Sequence, residues 1–221
     1  MKNIHNSFKF FPVYLLFSIL PLFVNAQAPD QDLFERQYFL QGNDTLPCRI
    51  LSPLHFTAGK KYPLIVFLHG SGERGNDNEA QLKWGSNLFL DSANREKFPA
   101  IVVFPQCPAD SSWSVRIKNK PADSSGIYQF PMNVPPTRPL QMVMSFIDTL
   151  INSGIVDPKR IYIGGLSMGG FGTFEILWRK PKLFAAAIPI CGGATRPVQN
   201  CMESIFLYGC FMAQTMMPCP W

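Results

Sequence analysis

The stretch that most constrains this chain is Ile161 to Gly172, where the β-forming run Ile161-Tyr162-Ile163 meets Gly165-Leu166-Ser167-Met168-Gly169 and then a helical pattern. It predicts a strand, a sharp turn with serine at its apex, and a helix. In a G-x-S-x-G elbow the serine backbone is held strained, and glycines two residues to either side let the strand and helix backbones pass close together. The hydroxyl is thereby pushed out above the sheet edge, and the helix N-terminus behind it favours developing negative charge. The pentapeptide alone also fits a chance glycine-rich turn or a phosphate-binding loop. A second motif separates these readings.

That motif follows Tyr62-Pro63-Leu64-Ile65-Val66-Phe67-Leu68, a continuous apolar run of the kind expected for a strand covered on both faces, and reads His69-Gly70-Ser71-Gly72-Glu73-Arg74-Gly75. A glycine-rich loop at the carboxyl end of a buried strand is where an open α/β sheet builds its ligand site. Before it, Gln37 to Leu40 and Cys48 to Leu51 read as short strands around the turn Gly42-Asn43-Asp44, forming an antiparallel edge. After it, a helix is predicted over Ala80 to Leu90 and a buried strand over Ala100 to Phe104, closed by Pro105-Gln106-Cys107-Pro108.

Ala109 to Pro139 has five prolines, Trp113 and no strong periodicity, and is expected to be a long loop over the site. Leu140, Val143, Met144, Ile147, Leu150 and Ile151 recur at helical spacing up to Gly154, and Val156 to Arg160 turns the chain into the elbow strand. Phe171 to Arg179 continues as the helix behind Ser167, and Phe184 to Ile190 is the next strand, closed by Cys191-Gly192-Gly193. Strands alternating with helices at these spacings imply a doubly wound, mostly parallel α/β sheet.

Residues 1–26 stand apart. Lys2 and Lys9 lie in a polar start, Phe10 to Val24 is apolar, and Val24-Asn25-Ala26 has the small residues of a cleavage site, so a secretory leader is expected, with a secreted or periplasmic location. Pro12 and Pro21 interrupt a run already short for a bilayer. Without the leader the formal charge falls from +5 to +3, too mild to point to nucleic acid or an anionic membrane as partner. The six cysteines, at 48, 107, 191, 201, 210 and 219, match neither a stapled scaffold nor a metal-ligand spacing, so no metal is expected. Cys48, Cys107 and Cys191 are expected to serve as small buried apolar residues.

A serine hydroxyl is a poor nucleophile at neutral pH; it needs a base to take its proton and donors to hold the oxyanion formed on attack at a carbonyl. The backbone N–H of Met168 and that of Ser71 are the natural donors. His69 is the tempting base, but a histidine immediately before the oxyanion glycine usually braces that loop. Gly70, Glu73 and Arg74 are expected to support the loop, the last two as a buried or half-buried ion pair. Trp113 either lines the substrate cleft or packs beneath the long loop.

Taken jointly and in this order, Leu68 to Gly75 and Gly165 to Gly170 resemble the α/β-hydrolase superfamily. With Pro105-Gln106-Cys107-Pro108, Trp113 and Ile188 to Gly193, the chain from about Tyr38 to Gly193 looks more narrowly like exported bacterial serine esterases of the phospholipase/carboxylesterase and dienelactone-hydrolase-like branch, some labelled predicted peptidases. The resemblance implies hydrolysis of small-molecule or carbohydrate-linked esters through an acyl-enzyme on Ser167, with Ser71 and Met168 as the oxyanion hole and no cofactor. A peptide substrate uses the same apparatus, and a noncatalytic binding protein on a hydrolase scaffold is the third possibility.

In this family an acid and then a histidine follow the serine. Here the only histidines are His5, His55 and His69, so that order is not completed, and the expected domain, residues 27–193, lacks its last strand and helix units. The chain as given is accordingly expected to be feeble in catalysis and poorly stable, with one side of a parallel sheet unpartnered. Residues 194–221 are expected to be a frame-shifted tail. Combining the third base of each codon with the first two of the next forces glycine from Met212-Ala213 and aspartate from Met216-Met217, and permits Trp-Leu-Phe-His-Gly-Ala-Asn-Asp-Asp-Ala-Val-Pro-Val across Tyr208 to Trp221. That is the strand and His-Gly-x-x-Asp turn on which the family carries its acid.

Overall fold

The computed structural model describes residues 30–118, 128–131 and 133–193. The expected leader at 1–26, the tail at 194–221 and the middle of the long loop lie outside the described residues.

Two polar-edged strands, β1 (Glu35–Gln41) and β2 (Asp44–Leu51), form an antiparallel hairpin around Gly42, whose φ of +63° is the left-handed value a tight turn needs. Both run longer than their apolar cores suggested, because pairing extends until the turn itself interrupts it. β3 (Tyr62–Leu68) and β4 (Ile101–Pro105) follow, then β7 (Val156–Leu166) and β8 (Ala186–Ile190), in the sheet order β1-β2-β4-β3-β7-β8. β2 joins β4 antiparallel, whereas β4, β3, β7 and β8 are mutually parallel, as a chain that returns through helices requires. In β3, Leu64, Val66 and Leu68 are buried on one face, while Ile65 and Phe67 on the other are only half-buried among the described residues. Each fully buried leucine or isoleucine of this kind contributes about 1.5–3 kcal/mol.

The single helix predicted over 80–90 is broken. A 3-10 turn at Ala80–Leu82 ends before Gly85, whose φ of +85° leads into α1 (Ser86–Leu90), and the Asp91 carboxylate caps α2 (Ser92–Lys97) by accepting from the Asn94 N–H at 2.8 Å. The helix α3 (Arg138–Asn152) has Pro139 in its first turn, where a missing N–H costs nothing, and ends just before Gly154 at φ +81°. Its apolar stripe, including Leu140, Val143 and Ile147, packs with Leu64, Ile161 and Ile163 into the main core.

The turn expected at Val156 to Arg160 belongs to β7 instead. Val156 pairs with Tyr62 and Ile161 with Leu64, so the residues between them bulge out of register, tied down by Asp157, which accepts from Lys159 N and Arg160 Nε. The long excursion between β4 and α3 includes a small antiparallel pair, β5 (Ile117–Lys118) and β6 (Tyr128–Gln129), which its aperiodic sequence did not announce. Cys48 and Cys107 are buried free thiols, whose pKa values burial raises, Cys107 to about 12. Cys191, expected to be buried, is half-buried at the end of β8. No helix among the described residues is long and apolar enough to cross a membrane.

Candidate active site

Ser167 stands between β7 and α4 (Met168–Arg179) with φ 53° and ψ −109°, a conformation that a residue with a Cβ adopts only under constraint. Three contacts impose it. The Ser167 N–H donates to Ile190 O at 2.8 Å, Ser167 O accepts from Phe171 N at 3.0 Å, and the glycines around it allow α4 to pass against the sheet ends. A Cβ on Gly165 would overlap the Gly169 carbonyl and lie 2.9 Å from Thr173 Oγ1; one on Gly169 would overlap the Leu68 carbonyl and lie 2.8 Å from His69 O. Packing that close excludes any side chain, and it leaves Ser167 exposed at the carboxyl end of the parallel strands.

Gly70 faces Ser167 across the sheet end. A Cβ added there would sit 3.9 Å from Ser167 Cβ and 3.6 Å from Leu166 O, so the glycine loop and the elbow converge on one place. Ser71 opens the 3-10 turn Ser71–Glu73, and buried Met168 opens α4. Each is the first residue of a helical turn, whose N–H has no partner within the turn.

His69 is 2% exposed and both of its ring nitrogens are engaged: Nε2 accepts from Cys107 N at 2.9 Å, and Nδ1 lies 2.6 Å from Gly70 O. An acceptor Nε2 leaves the proton on Nδ1, where it is donated to the carbonyl. Burial lowers the pKa of His69, partly offset by the bond to Gly70. The folded state therefore favours neutral His69, whereas the unfolded chain protonates it near pH 6.5. The unfolded state binds more protons, so this contribution is complete above about pH 6.5 and is lost as the pH falls below it. The melting temperature is expected to drop between about pH 7 and pH 5, and to drop less in His69→Gln, which offers Cys107 an acceptor that does not titrate. Equal drops in a series of thermal melts would contradict this.

Glu73 and Arg74 do not form the expected ion pair. Glu73 turns inward, is buried, and accepts from Trp84 Nε1 at 3.1 Å; Arg74 turns outward, donating from Nε to Ser71 O at 3.0 Å and from Nη1 to Ser111 O at 3.2 Å. Consecutive residues leaving a 3-10 turn point in different directions, which separates the two charges.

The loop has further supports, of which Gln106 and Glu175 were given no role from the sequence. Buried Gln106 accepts from Asn78 N at 2.7 Å and donates to Glu73 O at 3.2 Å and Asp77 Oδ1 at 2.8 Å, so Pro105-Gln106-Cys107-Pro108 braces the glycine loop through a side chain and a backbone N–H. Trp113 is fully buried, in edge contact with the His69 ring, and donates to His69 O at 3.1 Å, which makes it the packing aromatic of the two readings. Glu175 on α4 accepts from Val115 N at 2.7 Å and from Arg179; burial raises its pKa, and both partners pull it back down. A glutamate four residues before an arginine on one helix is the signal that would have found this pair.

Two histidines fall within the described residues. His55 lies in the loop before β3, at the opposite end of the strands from Ser167, exposed and paired with Glu96 at 3.3 Å. Neither it nor the fully engaged His69 is placed to take a proton from Ser167. No group of three or more His, Cys, Asp or Glu among the described residues is placed to hold a metal ion.

A solved thermostable esterase is 37% identical to this chain with a TM-score of 0.67, over 78% of this chain and 44% of its own. The fold is that of the α/β-hydrolases. The Prolyl oligopeptidase family matches residues 136–211, from the start of α3 through the elbow. Among characterised relatives, poly(3-hydroxyalkanoate) depolymerase C of Paucimonas lemoignei is 29% identical over 133 residues, 59% of this chain and 28% of that protein. The bifunctional acetylxylan esterase/xylanase of Neocallimastix patriciarum is 26% identical over 131 residues, 59% of this chain and 16% of that protein. This chain thus spans less than half the length of each. The likeness is to hydrolases that include esterases, and the family match spans the elbow.

Proposed function

We propose that this α/β-hydrolase is a secreted serine hydrolase that cleaves carboxylic esters through an acyl-enzyme on Ser167, in the phospholipase/carboxylesterase and dienelactone-hydrolase-like branch. The observation that carries the reading is the convergence of an exposed, strained Ser167 with Gly70, between two helical turns whose first N–H groups belong to Ser71 and Met168. In the first step Ser167 Oγ attacks the ester carbonyl as its proton passes to a base, and the carbonyl oxygen takes the negative charge. Donors at Ser71 and Met168 would stabilise that oxyanion, aided by the N-terminus of α4. Collapse expels the alcohol with a proton, and water then releases the acid. No histidine follows Ser167 in the 221 residues, so turnover by these residues alone is proposed to be impaired.

Small or carbohydrate-linked esters are the proposed substrates, a reading supported by the acetylxylan esterase relative. A peptide substrate is the second reading, favoured by the match to the Prolyl oligopeptidase family. A fluorophosphonate probe, located by peptide mapping, is expected to label Ser167; a panel of short-chain, aryl and carbohydrate esters and peptide anilides then compares the two readings. Label on another serine with none on Ser167 defeats the proposal, and faster release from anilides than from every ester favours the peptidase.

A further inference from the structure

The helix that begins at Ser167 carries, two turns further on, a half-buried ion pair in which Arg179 donates to Glu175 Oε1 from Nε at 2.9 Å and from Nη2 at 2.8 Å. Such a pair is a weak stabiliser by itself, because desolvating both ions offsets most of their attraction. What is particular here is where its remaining hydrogen bonds go. Glu175 Oε2 accepts from the Val115 N–H at 2.7 Å, and Arg179 Nη2 donates to Val134 O at 2.9 Å. Val115 and Val134 belong to the two limbs of the excursion between β4 and α3, one leading into the β5–β6 pair and one leaving it. One ion pair therefore holds both limbs.

One turn closer to Ser167 the same limbs meet Phe171. Its ring stacks on Phe130 at 5.4 Å with an interplanar angle of 22°, and the Arg116 guanidinium carbon lies 5.2 Å from its centre. The first limb continues back to Trp113, whose Cβ lies where a side chain on Gly172 would be and whose indole donates to His69 O. The excursion is thus fastened to the elbow helix at 171, 172, 175 and 179 and, through Trp113, to the glycine loop.

We propose that Glu175 and Arg179 are positioning residues that seat the Trp113–Arg116 limb and Phe130 against α4 beside Ser167, and so set the wall that a substrate's bulkier part meets. The proposal rests on Ser167 as nucleophile for its effect on substrates, but not for the fastening itself. The fastening acts through two backbone groups sixty and forty-five residues away in sequence, so its loss frees the wall without touching the nucleophile.

The test compares the 221-residue chain with its Glu175→Gln and Glu175→Ala variants by hydrogen exchange at the Val115 amide and by labelling rates with a small alkyl and a bulky aryl fluorophosphonate. In Glu175→Ala the Val115 amide is expected to exchange at least about tenfold faster, the loss of a bond to a charged acceptor, while amides of β3 and α3 keep their protection. The ratio of bulky to small labelling rates is expected to change at least about threefold. Glu175→Gln, which keeps an acceptor for Val115 but loses the charge that binds Arg179, is expected to fall between, and it alone suffices if the alanine variant does not fold. Unchanged exchange at Val115 overturns the fastening, and faster exchange with an unchanged ratio overturns its role in the cleft. If the unsubstituted chain takes no label, it is the esterase reading that has failed; the cleft role falls with it, and exchange at Val115 still decides the fastening.

Discussion

Replacing Ser167 by alanine is expected to abolish covalent labelling by fluorophosphonates and, in an enzyme complete with acid and base, to lower turnover by roughly four to six orders of magnitude. The change removes one oxygen and nothing else of consequence. Alanine also carries a Cβ, so the left-handed backbone at φ 53° is no more strained than before, and neither the bond from residue 167 N to Ile190 O nor the one from Phe171 N involves the side chain. Stability should therefore stay within about 0.5 kcal/mol of the unsubstituted chain. Measuring labelling and urea midpoint on the same preparation separates chemistry from folding. Label that survives Ser167→Ala but vanishes when a different serine is replaced would move the nucleophile elsewhere.

Gly169→Ala is expected to be the most damaging single change of one methyl group in the described core. The added Cβ would overlap the Leu68 carbonyl and approach His69 O to 2.8 Å. Both obstacles are backbone, so no rotamer change relieves them; α4 has to withdraw from the end of β3, and the glycine loop moves with it. Overpacking of that kind costs about 3 kcal/mol or more, a large share of the roughly 5–15 kcal/mol that holds a domain together. The matched control is Gly72→Ala. A Cβ there has nothing within 4 Å and its φ is not left-handed, so a shift within about 0.5 kcal/mol is expected. Denaturant midpoints for the two variants read the comparison directly, and similar midpoints would mean that the elbow tolerates a wider gap between helix and sheet than its geometry shows.

Features encoded by neighbouring residues were legible in the sequence. The continuous apolar run Tyr62 to Leu68, the helical spacing of Leu140, Val143 and Ile147, and the two glycines flanking Ser167 each express a local rule, namely strand burial, helical pitch or close backbone passage, and each appears as an element in the place expected. The break of the 80–90 helix at Gly85 is also written locally, in a glycine inside the predicted span. The two helical-turn openings at Ser71 and Met168 likewise follow from short motifs. What tertiary structure alone decided is everything that joins distant parts of the chain. The order β1-β2-β4-β3-β7-β8 follows from crossover packing, not from any strand's own residues. His69 could be read as base or brace until Cys107, 38 residues on, was seen to occupy its Nε2. Glu73 and Arg74 look like partners in sequence, and only the fold sends one to Trp84 and the other to Ser111. Gln106 and Trp113 carry no periodic signal, because the groups they bond lie dozens of residues away. Glu175 shows its pairing with Arg179 in the sequence but not its bond to Val115 N, and a contact of that kind leaves a trace only where the folded chain brings its two ends within about 3 Å.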